Sequence, residues 1–545
     1  MKSKRILLGL VVGLSLIAVS GYCATEQQAR AQFEKGATYE AQGNHTAAIA
    51  EWRIVLRDFL DQPRECANAQ LSIGLAYEAL DMGPEARDEL QKVIGVYPQF
   101  RAEASEAQLK IGESYQRCKL YDNAIVAFER VTENYSDRPI RCATARTYAA
   151  LCRTNLDVEN LDETVAELDK VANDFKTNPE ARRVCAQATK YAGQVLTAHA
   201  RGAEAIPKLQ GILTVYPDFP DICVEALMQI GKAQRKLEQV DKALVTYQKV
   251  VDSYPAYTDK GAVALLARAD IYAEKRDYDK SIADFKNVMK YYGKQPTLAA
   301  YCRDAQFGLA CSLRFAGRRE EALAEYAKVI ADSSFSAEMT VGAHEYRGQI
   351  YVDQKKPDEA LLEFQNAIDA NRQDSWGVAT IKFLIAGCYT TKSDNEHARQ
   401  LEQELDADTT VQSSPHLLFD LAMLQYALHG KDAALPTFRK YAEMGGAKWR
   451  GARGEFTYVE LMYHFERDWA KAAELAEMFL EKFPGDRSLC AEAEFIKAGI
   501  LEKNGDKNGA IAAYQALVST YQADTGRALD WVGYARDCIA RLQKQ

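Results

Sequence analysis

The residues able to do chemistry are scattered along the chain. Seven histidines stand at positions 45, 199, 344, 397, 416, 429 and 464. None has a second histidine at the spacing of a helical metal pair, and H-E-x-x-H does not occur. G-x-S-x-G, the Walker lysine motif and G-x-G-x-x-G are also missing. No two cysteines form C-x-x-C, which removes the usual zinc and redox spacings. Carboxylates are abundant but fall at helix-surface positions, where solvation explains them. The sequence therefore predicts no enzyme, no cofactor and no metal. What remains is binding chemistry. Lys232 and Arg235, near Glu225 and Met228, are two cations able to hold a carboxylate. Phe383, His416, Phe419, Met423, Tyr426 and His464, with Thr390 and Leu461 beside them, offer aromatic and thioether groups that suit an apolar segment of a partner. The alternative for this second set is that its aromatics fill a core, as aromatics at helical spacing do.

Such residues need elements to position them, and the composition says which. The chain has 545 residues, 47% of them apolar, with 29 Tyr and 19 Phe, enough for a large core. Ala, Glu, Leu, Lys and Arg favour helix. No series of alternating β-branched runs bounded by turn residues supports strands. No Ser/Gly-rich or Pro-rich linker separates domains. The formal charge is −9, and without Lys2, Lys4 and Arg5 it falls to −9 − 3 = −12, the wrong sign for a phosphate-tracking surface. Nucleic acid is not an expected partner.

The first residues read as an export signal. Lys2, Lys4 and Arg5 precede an apolar or small run from Ile6 to Val19, followed by Ala18-Val19-Ser20 and Gly21-Tyr22-Cys23-Ala24. The run is shorter than the ~20 residues a spanning helix needs, and no other stretch is long and apolar enough to span a membrane. Residues 1–23 are expected to be a signal peptide, cut after Ser20 or Cys23. Cys23 stands where a lipoprotein carries its lipidated cysteine, but Tyr22 replaces the small residue a lipobox places there, which argues against a lipid anchor. The sequons at Asn44 and Asn134 matter only in a eukaryotic host.

The body of the chain repeats itself. A small anchor residue recurs at Gly36, Gly74, Gly112, Ala150, Gly193, Gly231, Ala269, Ala310, Gly348, Ala386, Ala422 and Ala498, with Glu460 in the same register. Most steps are 38 residues and the extremes are 36 and 43. Twelve residues after most anchors lies another small residue, such as Ala48, Ala86 or Ala243. Four further on lies a large apolar one, such as Trp52, Leu90, Phe128 or Tyr247. Closely packed helices need small residues at their crossing, and the bulky residues fill the groove beside it. Short turns such as Ala41-Gln42-Gly43-Asn44 join the two helices, and Gly and Asn tolerate the left-handed backbone that ends a helix. Tyr97-Pro98, Tyr216-Pro217, Tyr254-Pro255 and Phe483-Pro484 close second helices. The expected fold is all-α, an α-solenoid of about thirteen helix pairs over residues 24–526. Residues 527–545 form a C-terminal capping helix that covers the last apolar face.

This order of small, aromatic, small, aromatic and Pro resembles the tetratricopeptide repeat family across nearly the whole mature chain. The ~38-residue unit with its aromatic-Pro ending is similar to the bacterial envelope subclass, which includes the Tol-Pal coordinator and the lipoprotein subunit of the outer-membrane barrel assembly machinery. The resemblance implies a scaffold for protein–protein interaction, periplasmic or secreted, with association with the outer membrane as a further option. Its partners would be other proteins or peptides of the envelope. A polysaccharide- or peptidoglycan-associated binding protein of an export or wall-maintenance system is the alternative, with Trp376 and Trp449 as interior platforms. The resemblance also places the binding surface on the first helices, near three before, one after and four after each anchor. Phe419, Met423 and Tyr426 satisfy that rule in the eleventh unit, and Lys232 and Arg235 in the sixth. Some family members clamp a peptide C-terminus with cations from adjacent units. Here Leu266 and Asp270 stand at the matching places in the seventh, so that pattern is incomplete.

Eleven cysteines follow Cys23, and six of them, Cys66, Cys142, Cys185, Cys223, Cys302 and Cys490, lie eight residues before an anchor. Other units carry Ala104, Gly261, Thr340, Ser414 or Ala452 there, so the column asks for a small side chain and cysteine serves as one. Equivalent positions should sit a helix-pair width apart, beyond the ~7 Å limit for a disulfide. Cys118, Cys152, Cys311, Cys388 and Cys538 lie outside the column, where pairing across helices, for instance of Cys152 with Cys142, stays open. Three units depart from the pattern. The fourth has a longer turn from Asn155 to Asp162, the tenth has Glu402 at the large apolar position, and the twelfth has Glu460 at the anchor. Between the eleventh and twelfth lies the Gly-rich stretch 444–454.

Overall fold

The structure is a computed structural model that describes residues 25–156, 161–444, 452, 456, 459–524 and 527–544. Cys23, Trp449 and most of the stretch 444–454 lie outside them. The described residues are helical, with no strand among them. They fall into two compact bodies. One runs to Asp277 and includes Lys290–Tyr301; the other holds Tyr278–Met289 and everything from Cys302 onward. Each body is a succession of helix pairs in which neighbours in sequence pack on each other. Thirteen second helices are described, from His45–Asp58 to Lys507–Tyr521.

The anchor column does what its small size requires. A Cβ built on Gly231 would lie 2.6 Å from the Tyr247 ring, and one on Gly74 2.7 Å from Leu90. Gly36, Gly112, Gly193 and Gly348 meet Trp52, Phe128, Leu209 and Phe364 in the same way. The bulky residue sixteen after each of these anchors therefore lies flat on it, inside any tolerable contact distance for a side chain. Both partners are buried.

Sequence chemistry sets the ends of the helices. Pro63, Pro139, Pro220 and Pro415 occupy the first turn of first helices, where a missing N–H costs nothing. Asp374, Asp394, Asp468, Asp486 and Asp506 accept hydrogen bonds from backbone N–H groups of the helices they open. The turn between the two helices contains one left-handed residue. It is glycine at Gly43, Gly317, Gly430 and Gly505, but Asp81, Lys119, Ala200, Glu238, Arg276, Lys355, Ser393 and Arg467 hold the same conformation. The reading of these turns as Gly or Asn sites is thus too narrow. Packing of the flanking helices fixes the turn even where the residue disfavours it.

The C-terminal end of the second helix is tied down twice. Cys66, Cys142, Cys223 and Cys490 each donate S–H to the carbonyl of the aromatic residue seven positions earlier, at 3.2–3.4 Å. The cysteine column therefore selects a small residue that also satisfies an orphan helix-end carbonyl. The cysteines after Cys23 are free thiols, and burial pushes the column's six upward in pKa. In the third, fifth and thirteenth repeats an arginine opening the first helix adds a clasp. Arg101, Arg182 and Arg487 donate to the carbonyls of Asn134, Val215 and Thr520, and to Asp137, Asp218 and Asp524. Each guanidinium also lies over the helix-ending ring of Tyr135, Tyr216 or Tyr521.

The irregular spacings have physical causes. Short 3-10 turns, Pro179–Ala181 and Pro296–Leu298, precede the first helices of the fifth and eighth repeats, where the steps lengthen. A five-residue helix, Thr409–Ser413, lies between the tenth and eleventh. In the twelfth, Leu461–Glu466 is a π-helix that ends at left-handed Arg467. Helix Arg527–Lys544 packs on the last pair through Ala528, Val532, Ala535 and Leu542.

Candidate functional site

Three first helices of the N-terminal body, Arg182–Ala198, Pro220–Lys236 and Thr258–Glu274, build an open groove of about 770 Å³. Its lining comes from fixed places in the repeat. Gln194 and Lys232 stand one after their anchors, Thr197 and Arg235 four after, and Ala198 and Lys236 five after. Gln229 and Ala267 stand two before, and Tyr247 closes the floor. The helical period turns these positions to one side while the anchor faces the second helix.

The groove exposes mainly apolar surface between its polar side chains, and most of its charges are matched. Arg235 is paired with Glu274 of the next first helix. Lys236 donates to the Thr197 carbonyl at 3.0 Å, at the C-terminal end of the preceding first helix, where a cation is favoured. Lys190 is nearly buried, bonds Glu225 at 2.6 Å, and lies over the Tyr191 ring. Lys232 is exposed and has no polar partner among the described residues. Burial pushes the Tyr247 phenol up to about 12, against the opposing pull of Arg235, so the floor is neutral at physiological pH.

The second set of sequence candidates divides. The position three before the anchor belongs to the core. Phe33, Phe307, Phe419 and Phe495 each pack on the bulky residue nineteen later, with ring centroids 5.3–6.1 Å apart. Phe419 also meets Tyr441 edge to face at 5.5 Å. Phe383 packs against the same core, and His416 is half-buried. Met423 and Tyr426, one and four after their anchor, remain 45% and 48% exposed. His464 is exposed on the π-helix, edge to face with Tyr463. The first position of the expected rule thus behaves differently from the second and third, and in the eleventh repeat the residues after the anchor are the ones exposed to a ligand.

Polar groups that the sequence leaves unassigned act as braces. Gln32 bonds Glu51 at 2.6 Å, Gln70 bonds Glu89, Gln306 bonds Glu325, and His344 bonds Glu363 at 2.7 Å. All four pairs join the position four before the anchor to the one fifteen after, so His344 stands in a glutamine's place. Glu402, at the position that elsewhere is large and apolar, is buried at 9% exposure. It accepts from Gln425 at 3.2 Å and meets His429 Nε2 at 3.2 Å, while Thr437 donates to Gln425 at 2.6 Å. Among the described residues no cluster of His, Cys, Asp and Glu has the arrangement to hold a metal, and no helix is long and apolar enough to cross a membrane.

Two family models, both described as tetratricopeptide repeat, match the chain. One covers residues 106–138 and 225–257, the other 33–99, 307–375 and 465–527. No curated protein matches. Among solved structures, the chain is similar to yeast Tom70 with TM-score 0.42 and 13% identity, over 95% of this chain and 97% of that one. A tetratricopeptide repeat protein from Parabacteroides merdae gives 0.28 and 14%, over 58% and 97%. Naa15/Naa10 bound to HypK-THB gives 0.36 and 12%, over 94% and 92%.

Proposed function

We propose, from the premise that this chain carries tetratricopeptide repeats, that it is an exported scaffold of the bacterial cell envelope that holds protein partners on its first helices. One observation carries the binding half of this reading: residues one, four and five after successive anchors line a single open groove. Such a column gives an extended partner many modest contacts at regular intervals. The charged and amide groups of repeats five to seven supply orientation, and Met423 and Tyr426 supply apolar contact of the kind enriched at interfaces. The export half is supported by the charged and apolar N-terminal residues, from Lys2 to Val19.

Affinity capture from envelope extract, with the mature chain's N-terminus sequenced, tests both halves. The expected result is a stoichiometric protein partner whose recovery falls with Lys232→Glu or Tyr426→Ala, and a mature chain that begins near residue 24. Recovery of no such partner removes the binding half, and an intact Met1 in the mature chain removes the export half. The glycan-associated reading keeps one supporting feature, the 49% exposed Trp376 ring. Failure of the chain to sediment with purified sacculi eliminates it.

A further inference from the structure

We infer that the groove of repeats five to seven takes an acidic stretch of an extended polypeptide, and that Glu274 occupies part of that seat until the stretch arrives. The inference rests on the scaffold reading and names the chemistry of its partner. The groove is too large for a single small anion, at about 770 Å³, and its lining is drawn from three successive first helices. Of its cations, Lys236 is committed to a backbone carbonyl and neighbouring Lys190 to Glu225. Among the described residues the Lys232 ammonium has no polar partner, and the Arg235 guanidinium is paired with the Glu274 carboxylate of the next repeat.

That pairing shows what the seat recognises. A carboxylate already lies on Arg235, brought by a side chain that is itself 59% exposed. Glu274 returns to water at little cost when another carboxylate replaces it, since an exposed ion pair is weak. An incoming chain gains what Glu274 does not supply, a second carboxylate on Lys232. Lys232 and Arg235 are three apart on one helix, which places their Cβ atoms roughly 5–6 Å apart. Alternate side chains of an extended peptide lie on one side at roughly 6.5–7 Å. The match is therefore to acidic residues at alternate positions. Gln194 and Gln229, on the groove wall, offer amide groups to the peptide backbone between them.

The test uses the full mature chain and a fluorescent short peptide of alternating Asp and Ser with an amidated C-terminus. The same peptide with Lys for Asp, and the Asp peptide with a free C-terminus, serve as companions. Fluorescence anisotropy should show binding of the amidated Asp peptide that weakens with salt, and none of the Lys peptide. Glu274→Gln removes the internal competitor and should tighten binding by about 1.5-fold to fivefold, the range of an exposed ion pair. Arg235→Gln and Lys232→Ala should each weaken it by about tenfold, as expected for a charge-assisted contact. All three positions are surface-exposed enough to leave the helices intact, which circular dichroism checks.

The inference is overturned if the amidated Asp peptide binds no better than the Lys peptide, or if Glu274→Gln leaves its affinity unchanged. Binding of the free-C-terminus peptide alone overturns it as well, in favour of a seat for a terminal carboxylate. Failure here is distinguishable from failure of the scaffold reading. A partner still captured through the Met423 and Tyr426 surface, in an amount unaffected by Lys232→Ala, leaves the scaffold standing and removes only the acidic stretch.

Discussion

Helices Pro220–Lys236 and Pro415–His429 open the sixth and eleventh repeats and fill the same place with different chemistry. In the sixth, the anchor is glycine, Tyr247 lies flat on it, and the positions after it carry Lys232, Arg235 and Lys236. In the eleventh, the anchor is alanine, the ring of Phe438 packs on Phe419, and the positions after it carry Met423 and Tyr426. The floor beneath the preceding repeat also differs. Glu402 takes the place of a large apolar residue there and ties buried Gln425 and exposed His429 into one polar network. The contrast separates two roles that one helix plays at once. Residues before and at the anchor decide how tightly the pair closes, and residues after it decide what the surface presents. The surface is cationic in one repeat and apolar in the other, while both pairs close through a small anchor and a ring sixteen residues later.

Four changes break or sharpen that separation. Phe419→Ala should cost about 3 kcal/mol in the eleventh repeat, because it removes a ring wedged between Phe438 and Tyr441. Tyr426→Ala on the same helix should cost under about 0.5 kcal/mol. Hydrogen exchange resolved by repeat measures both, since a repeat array need not unfold as one unit. Equal effects would mean that the two faces are not separable. Gly231→Val should cost about 2–3 kcal/mol by driving a side chain into the Tyr247 ring. Gly387→Ala, one residue after the tenth anchor with open space around it, should instead gain up to about 1 kcal/mol from helix propensity. A loss at Gly387 would place that position in the packed interior.

Glu402→Ala should cost about 2 kcal/mol, since it strands the buried Gln425 amide. A neutral result would mean that the network adds nothing to closure. The smallest effect is kinetic. Burial raises the pKa of Cys223, and that of Cys388 to about 11, so both should resist alkylation near neutral pH while exposed Cys118 reacts. Mass spectrometry of briefly alkylated protein reads all three. Labelling of Cys388 well before Cys223 would show that the tenth repeat opens more readily than the sixth.

The sequence and the structure agree most where packing leaves one choice. An anchor that meets a ring sixteen residues later must be small, and that recurrence is visible without coordinates. The cysteine column was legible as a place for small residues, but the thiol's bond to the helix-end carbonyl was not, because alanine and threonine share the column. Position three before the anchor was misplaced on the groove because aromatics at helical spacing look alike on either side of a pair. Only the observed contacts of Phe33, Phe307 and Phe495 with their partners decide it. Turn residues such as Lys119 and Ala200 give no local sign of left-handed backbone, since the flanking helices impose it. For the groove itself, Lys232 and Arg235 were legible, while Gln194, Gln229 and Lys236 were not. Their role appears only when three neighbouring repeats are stacked.

The central claim is that partners bind the side of the repeats that lies after the anchors. A photo-crosslinking amino acid placed singly at Lys232, Tyr426, Val245 or Leu362 in the native host tests it. Val245 and Leu362 lie on second helices and are 70% and 63% exposed, so they report the opposite choice equally well. The account predicts discrete crosslinked protein species from position 232 or 426 and none from 245 or 362. The same species from all four positions, or species from 245 and 362 alone, would contradict it.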